Sequence, residues 1–203
     1  MNKIVKNTII LTAITVISGL LLGLVYEVTK APIATAQNNA KQEAYKSVMS
    51  DAKEFVPYED FDADAAQKLM DDHKLSDVVD EVVAAQDASG ETIGYVVTVT
   101  SKEGYGGDIK ISTGIDAEGT VKGISILSIS ETAGLGMQAT AADWQAQFKD
   151  KAVEQFEYTK TGASADNQID ALSGATITTN AVTNDVNAAL VYYQEVLAKG
   201  GSN

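Results

Sequence analysis

The stretch Asp170-Ala171-Leu172-Ser173-Gly174-Ala175-Thr176 is a short, polar, glycine-containing loop, and Ile177-Thr178-Thr179 follow it directly. Beyond this loop, apolar residues recur at the spacing of one helix face: Val182, Val186, Leu190, Tyr193 and Leu197. The pattern predicts a long helix that begins beside Thr176 and stops at Lys199-Gly200-Gly201.

Three hydroxyl side chains, those of Thr176, Thr178 and Thr179, therefore lie at or near a helix N-terminus. The free N–H groups and the positive dipole end at such a place favour an anion. Two interpretations remain open. The hydroxyls cap the helix, as Ser and Thr commonly do, or the loop is a phosphate site in which one hydroxyl is the attachment point.

Ahead of this loop, four segments rich in β-branched residues are separated by turns: 78–85, 94–100, 109–112 and 121–129. The connections at 87–90 and 116–119 are short and contain Gly, which indicates antiparallel pairing. We therefore expect an α+β fold, an antiparallel β-meander packed with helices. Trp144 and Phe148, four residues apart, predict one apolar helix face within 141–151.

Composition excludes several classes of function. The chain of 203 residues has a formal net charge of −13, which argues against nucleic-acid binding. It has no Cys, so disulfides and Cys-ligated iron–sulfur clusters are impossible. The one His, His73, lies in a polar run typical of a solvated surface. We identify no catalytic residue and no metal ligand.

The N-terminus predicts a membrane anchor. No charge separates Lys6 from Glu27, and this span is about as long as a helix of roughly 20 residues that crosses a bilayer. Lys3 and Lys6 place the N-terminus in the cytoplasm and the acidic domain outside, extracellular or periplasmic. A cleaved secretory signal, with Ala34-Thr35-Ala36 as its cleavage site, is the alternative. The expected domains are an anchor at 1–30, a helical and acidic connecting region at 31–77 and a folded domain at 78–203.

The Asp-x-x-Ser-Gly-Ala-Thr pattern at 170–176 resembles the flavinylation motif of the FMN-binding domain family. That family includes the G protein of the Rnf electron-transport complex (RnfG) and its counterpart in the sodium-pumping NADH:quinone oxidoreductase (NqrC). The resemblance implies that a flavin transferase moves FMN from FAD onto Thr176 as a phosphoester. It implies that the transferase recognises Asp170. It also places the neighbouring motif residues at the cofactor: Asp170, Ser173, Gly174, Ala175, Thr178 and Thr179.

Two further loops resemble family loops that help to build the flavin pocket. Glu131-Thr132-Ala133-Gly134-Leu135-Gly136 is similar to Glu-Thr-Pro-Gly-Leu-Gly, with Ala133 in place of the Pro, and Gly104-Tyr105-Gly106-Gly107 precedes it. The resemblance adds further cofactor-binding residues: Tyr105, Glu131, Thr132, Gly134, Leu135 and Gly136. Without the resemblance, turn formation explains both loops. A dinucleotide loop at 104–107 is excluded, because it lies between strands.

The expected function is that of a membrane-anchored electron carrier in an Rnf-type complex, which couples electron flow between ferredoxin and NAD to Na⁺ or H⁺ movement. Its partners are the other membrane proteins of the complex and the flavin transferase; NAD and ferredoxin bind elsewhere. One alternative is an NqrC-like component of the NADH:quinone pump or a stand-alone extracellular flavoprotein. The other is an anchored surface domain without redox function.

Overall fold

The computed structural model describes residues 2–200, which form two units, one ending at Lys41 and the other beginning at Gln42. Helix α1 (Lys3–Val48) supplies all of the helical structure of the first unit. It contains one stretch long and apolar enough to cross a membrane. Its threonine hydroxyls bond to carbonyls one turn back, as Thr8 does to Ile4 (3.0 Å) and Thr15 to Leu11 (3.0 Å). These hydroxyls therefore need no water, as a lipid environment requires.

The second unit contains a five-stranded sheet in which sequential strands are neighbours and every pair is antiparallel. Its strands are β1 (Glu54–Pro57), β2 (Val78–Gln86), β3 (Thr92–Ser101), β4 (Ile109–Asp116) and β5 (Val121–Ser128). The four strands predicted from the sequence correspond to β2–β5. The predicted meander is confirmed, and its helices are described below.

Strand β1 extends the sheet into the region expected to be only a connection. Glu54–Pro57 is short and ends in Pro, so the usual signal of a long alternating strand is missing. Helix α2 (Ala63–Asp72) follows, with Asp62 as its N-cap. The folded unit therefore begins at Gln42 and not at the expected boundary near 78.

The final helix, α4, covers one face of the sheet. It spans Thr176–Tyr192 and continues through a π-helical turn (Tyr193–Leu197) into α5 (Ala198–Gly200). Its apolar side chains Val182, Val186 and Leu190 share one core with Val97 and Ile111 of the sheet. The opposite face packs against the end of α1 through a smaller cluster: Tyr45, Val48, Met49, Ala52, Val83, Ala85 and Val96. Because both faces are covered, β3 is buried almost continuously.

Short elements connect β5 to α4. A 3₁₀ turn (Gly136–Thr140), α3 (Ala142–Gln145) and a second 3₁₀ turn (Ala146–Phe148) replace the single helix expected at 141–151. Trp144 and Phe148 still pack edge to face, with ring centroids 5.6 Å apart. Two strands that the sequence did not predict, β6 (Glu157–Thr159) and β7 (Gln168–Asp170), then pair in parallel. Strand β7 leads directly into the loop before α4.

Two carboxyl groups are buried in the core beside α4. Asp77 and Asp185 are both fully buried, and none of their four oxygens has a hydrogen-bond partner within the described residues. Burial raises the pKa of Asp77 to about 6. Burial, together with the charge of Asp77, raises the pKa of Asp185 well above its usual range. At neutral pH the pair therefore holds at least one proton.

Candidate functional site

A cavity of about 560 Å³ opens at one end of the sheet. Three segments meet there: the β3–β4 connection, the loop after β5 and the start of α4. Its lining residues are Tyr105, Glu131, Thr132, Leu135, Gly136, Gly174, Ala175, Thr176, Ile177 and Thr178. The volume lies within the roughly 300–1,000 Å³ usual for small-molecule sites.

The start of α4 forms one wall of the cavity. Ala175 is the N-cap residue, and no side chain caps the helix by a hydrogen bond. Of the two interpretations left open by the sequence, side-chain capping is therefore not what these hydroxyls do. Thr176 is the first helical residue, is half-buried and lines the cavity. An uncapped helix start beside a cavity offers its N–H groups to an anion.

The loop before α4 is fastened to the helix by Thr179. This hydroxyl accepts a hydrogen bond from the Leu172 N–H (3.0 Å) and donates one to the Ala175 carbonyl (3.0 Å). Thr179 itself is fully buried. The bend between these two contacts contains Gly174 at φ 72°, in the left-handed region that favours glycine. The conformation of 172–175 is thus fixed from inside the protein.

Glu131 joins the other two loops. Its Oε1 accepts a hydrogen bond from the Gly106 N–H (3.1 Å), and its side chain is almost completely buried. Its Oε2 faces Gly136, where an added methyl group would lie 2.6 Å from that oxygen and 2.5 Å from Thr178 Oγ1. A side chain at Gly136 would therefore collide with both polar groups.

Apolar side chains surround the mouth of the cavity. Tyr105 is 70% exposed, Ile177 is 52% exposed and Leu135 is 43% exposed. Between residues 34 and 200, no other large hydrophobic side chain is exposed to this degree. Exposed apolar groups gathered around one cavity indicate a ligand or partner with an apolar surface.

Asp170, the first residue of the Asp-x-x-Ser-Gly-Ala-Thr pattern, lies outside the cavity. Its carboxylate accepts a hydrogen bond from the Ala163 N–H (2.6 Å). Its backbone N–H donates to Gln147 Oε1 (2.7 Å), and its carbonyl accepts from the Trp144 indole (2.9 Å). Within this fold Asp170 therefore ties the 160s loop and α3 to the end of β7.

Comparison with known proteins identifies the family. The chain matches the FMN-binding domain model over residues 104–191 and the RnfG N-terminal region model over residues 1–48. It is 31% identical to the G component of the Na⁺-translocating ferredoxin:NAD⁺ oxidoreductase complex of Acetobacterium woodii, over 94% of this chain and 92% of that protein. The chain belongs to the RnfG family.

Two other RnfG relatives show similar identity. The G component of the ion-translocating oxidoreductase complex of Methanosarcina acetivorans is 32% identical over 94% of this chain and 95% of its own length. The G component of the proton-translocating ferredoxin:NAD⁺ oxidoreductase complex of Clostridium ljungdahlii is 32% identical over 93% and 91%. Relatives named for Na⁺ and for protons are thus about equally similar to this chain.

Solved structures support the same fold. The C component of the Na⁺-translocating NADH-quinone reductase of Parabacteroides distasonis superposes with a TM-score of 0.55 at 19% identity, covering 79% of this chain and 94% of that one. The NqrC structure of Shewanella oneidensis gives a TM-score of 0.50 at 21% identity, covering 60% and 61%. At these identities the likeness concerns the fold alone.

The cavity brings together most of the residues that the sequence assigned to the cofactor. Nine of them line it: Tyr105, Glu131, Thr132, Leu135, Gly136, Gly174, Ala175, Thr176 and Thr178. The other four do not. Asp170 and Thr179 use their side chains within the protein, Gly134 occupies an exposed turn, and Ser173 is exposed beside the cavity. Sequence reasoning missed Ile177, although an apolar residue directly after Thr176 at a helix start was a usable signal.

Proposed function

We propose that this chain is a membrane-anchored electron carrier of an Rnf-type complex, with FMN esterified through its phosphate to Thr176. One observation above all supports the proposal: the Thr176 hydroxyl lines a cavity at an uncapped helix N-terminus. FMN, when bound, supplies the one- or two-electron redox chemistry. The residues of the chain hold it, orient it and limit its contact with water.

The surroundings of Thr176 favour a phosphate that is attached covalently. The start of α4 provides N–H groups and the positive end of a helix dipole. However, no Lys or His is among the residues that line the cavity, and the chain has no Arg. A phosphate group held without a cation would dissociate readily from a chain of net charge −13. An ester bond to Thr176 would prevent that loss outside the cell.

The apolar rim suits the ring system of the flavin. Tyr105, Leu135 and Ile177 present apolar surface at the mouth of the cavity. A flat aromatic ring that covers them would remove this surface from water. One edge of the ring would stay accessible to a redox partner, because attachment through the phosphate leaves the ring free of covalent bonds.

The attachment step is a phosphoryl transfer from FAD. The Thr176 oxygen bonds to the phosphorus of the FMN half, the pyrophosphate P–O bond breaks, and AMP leaves. The hydroxyl proton passes to a base of the flavin transferase or to water. Gly174 and Ala175 have minimal side chains, so the transferase can approach this hydroxyl.

The partners in this proposal are the other membrane proteins of the complex, which exchange electrons with the flavin. The names of the relatives support ferredoxin:NAD⁺ oxidoreduction coupled to Na⁺ or H⁺ translocation. NAD and ferredoxin would bind to other components.

Thr176→Ala provides the first test. The full-length protein, co-expressed with a flavin transferase, should fluoresce in a denaturing gel and gain the mass of one FMN group. Thr176→Ala should abolish both signals. Thr132→Ala is the matched control, because Thr132 lines the same cavity and is exposed, and it should keep both signals. A flavinylated Thr176→Ala protein would exclude Thr176 as the acceptor.

The orientation in the membrane is tested separately. Lys3 and Lys6 precede the apolar stretch of α1, so we propose that the N-terminus is cytoplasmic and the flavin domain lies outside. Protease added to intact spheroplasts should then digest the domain while a cytoplasmic marker survives. Full protection of the domain would reverse the orientation.

A further inference from the structure

The cavity contains one carboxylate, and its position has a consequence for a bound flavin. Among the lining residues in the described part of the chain, Glu131 is the only acidic one, and no Lys or His accompanies it there. Its side chain forms no ion pair with any of the described residues, and the residue is only 9% exposed. Its charge is therefore weakly screened by solvent.

The structural contact of Glu131 uses one of its two oxygens. Oε1 accepts the Gly106 N–H, whereas Oε2 has no hydrogen-bond donor among the described residues and faces Gly136 and Thr178 in the cavity wall. A neutral amide would hold the Gly106 loop equally well through its carbonyl oxygen. The fold therefore does not account for the negative charge itself.

We infer that the charge of Glu131 lowers the reduction potential of a flavin held in this cavity. The inference rests on the proposed attachment of FMN to Thr176. Reduction adds electrons to the ring, and a buried negative charge in the wall of the same cavity opposes that addition. Glu131 acts on the potential through space and does not take part in any bond change.

Glu131→Gln separates the charge from the structural contact. In the full-length protein loaded by the transferase, we expect full flavin content by intact mass. The equilibrium constant for flavin reduction should increase on the order of tenfold at an effective dielectric constant of about 20. For a two-electron couple, a tenfold change is a rise of about 30 mV in midpoint potential. Glu131→Asp, which keeps the charge, should stay closer to the wild type.

Glu118→Gln is the matched control, because it makes the same change in net charge at the β4–β5 turn, at the other end of β4 from the cavity. Its midpoint potential should equal that of the wild type. If Glu131→Gln and the wild type have equal potentials at equal flavin content, the inference is wrong. A folded Glu131→Gln protein that takes up no flavin would also overturn it, because Glu131 would then be required for attachment.

A second variant keeps the inference testable if Glu131→Gln does not fold. Thr132→Lys adds a positive charge at an exposed lining residue next to Glu131 and leaves the buried contact intact. It should raise the midpoint potential, and an unchanged potential would overturn the inference. A wild-type protein without covalent flavin would instead refute the proposed function, on which the inference depends.

Discussion

Thr179 is the single side chain on which the geometry around Thr176 depends most directly. Its hydroxyl makes both hydrogen bonds that fasten the loop at Leu172 and Ala175. Thr179→Val keeps the shape and removes both bonds, so we expect a loss of about 1–3 kcal/mol in the free energy of unfolding. We also expect slower flavin transfer to Thr176, because the loop before it is no longer held. Denaturant unfolding and time-resolved intact mass measure the two effects.

Thr179→Ser is the control for this prediction, because it keeps the hydroxyl and should keep the flavin transfer rate close to that of the wild type. Wild-type transfer into Thr179→Val would mean that the transferase itself shapes the loop.

At the same scale, the sequence identified residue types better than residue orientations. The motif resemblance found Thr176 and both glycine loops, because the main chain at these positions requires small or hydroxyl side chains. It could not tell that Thr179 and Asp170 face the protein interior or the 160s loop. Those orientations follow from contacts with Ala163, Gln147 and Trp144, which are distant along the chain.

At the scale of elements, the turn after β5 explains a departure from the family pattern. The Leu135 N–H bonds to the Thr132 carbonyl (3.1 Å), which makes Ala133 and Gly134 the two central residues of a turn, with Gly134 at φ 78°. Pro is favoured at the first central position of such turns. Ala133→Pro should therefore raise the free energy of unfolding by about 0.4–1 kcal/mol, because it restricts the unfolded chain.

The measurement for Ala133→Pro is chemical denaturation of the protein, with flavin content by intact mass as the control that the cavity is unchanged. Destabilisation would show that the backbone at Ala133 is incompatible with the proline ring.

The elements that the sequence failed to predict are all short. Strand β1 has four residues, and β6 and β7 have three each. Such segments show no clear alternation of apolar residues, and their pairing is decided by partners far along the chain. The long strands β2–β5 and the helix α4 could be predicted because each repeats its pattern over several residues.

For the whole molecule, the buried pair Asp77 and Asp185 predicts how stability depends on pH. Because burial raises the folded-state pKa of Asp77 from 3.8 to about 6, its favourable contribution is complete below about pH 4 and is lost as pH rises through about 6. The raised pKa of Asp185 extends the loss to higher pH. The Asp77 contribution is on the order of 3 kcal/mol.

Asp185→Asn should flatten this pH dependence and stabilise the domain at neutral pH, since an amide can donate a hydrogen bond to Asp77. Urea unfolding between pH 5 and 8 measures it, with the exposed Asp72→Asn as the control. An unchanged pH profile in Asp185→Asn would mean that the two carboxyl groups do not interact.

The burial of α4 has a kinetic consequence for the attachment point. Eleven of its seventeen residues are buried, so its amide protons should exchange with deuterium only when the whole domain unfolds. The exposed loops at 104–107 and 132–135 should exchange far sooner. A flavin tethered to Thr176 would then have an immobile mounting and a yielding rim.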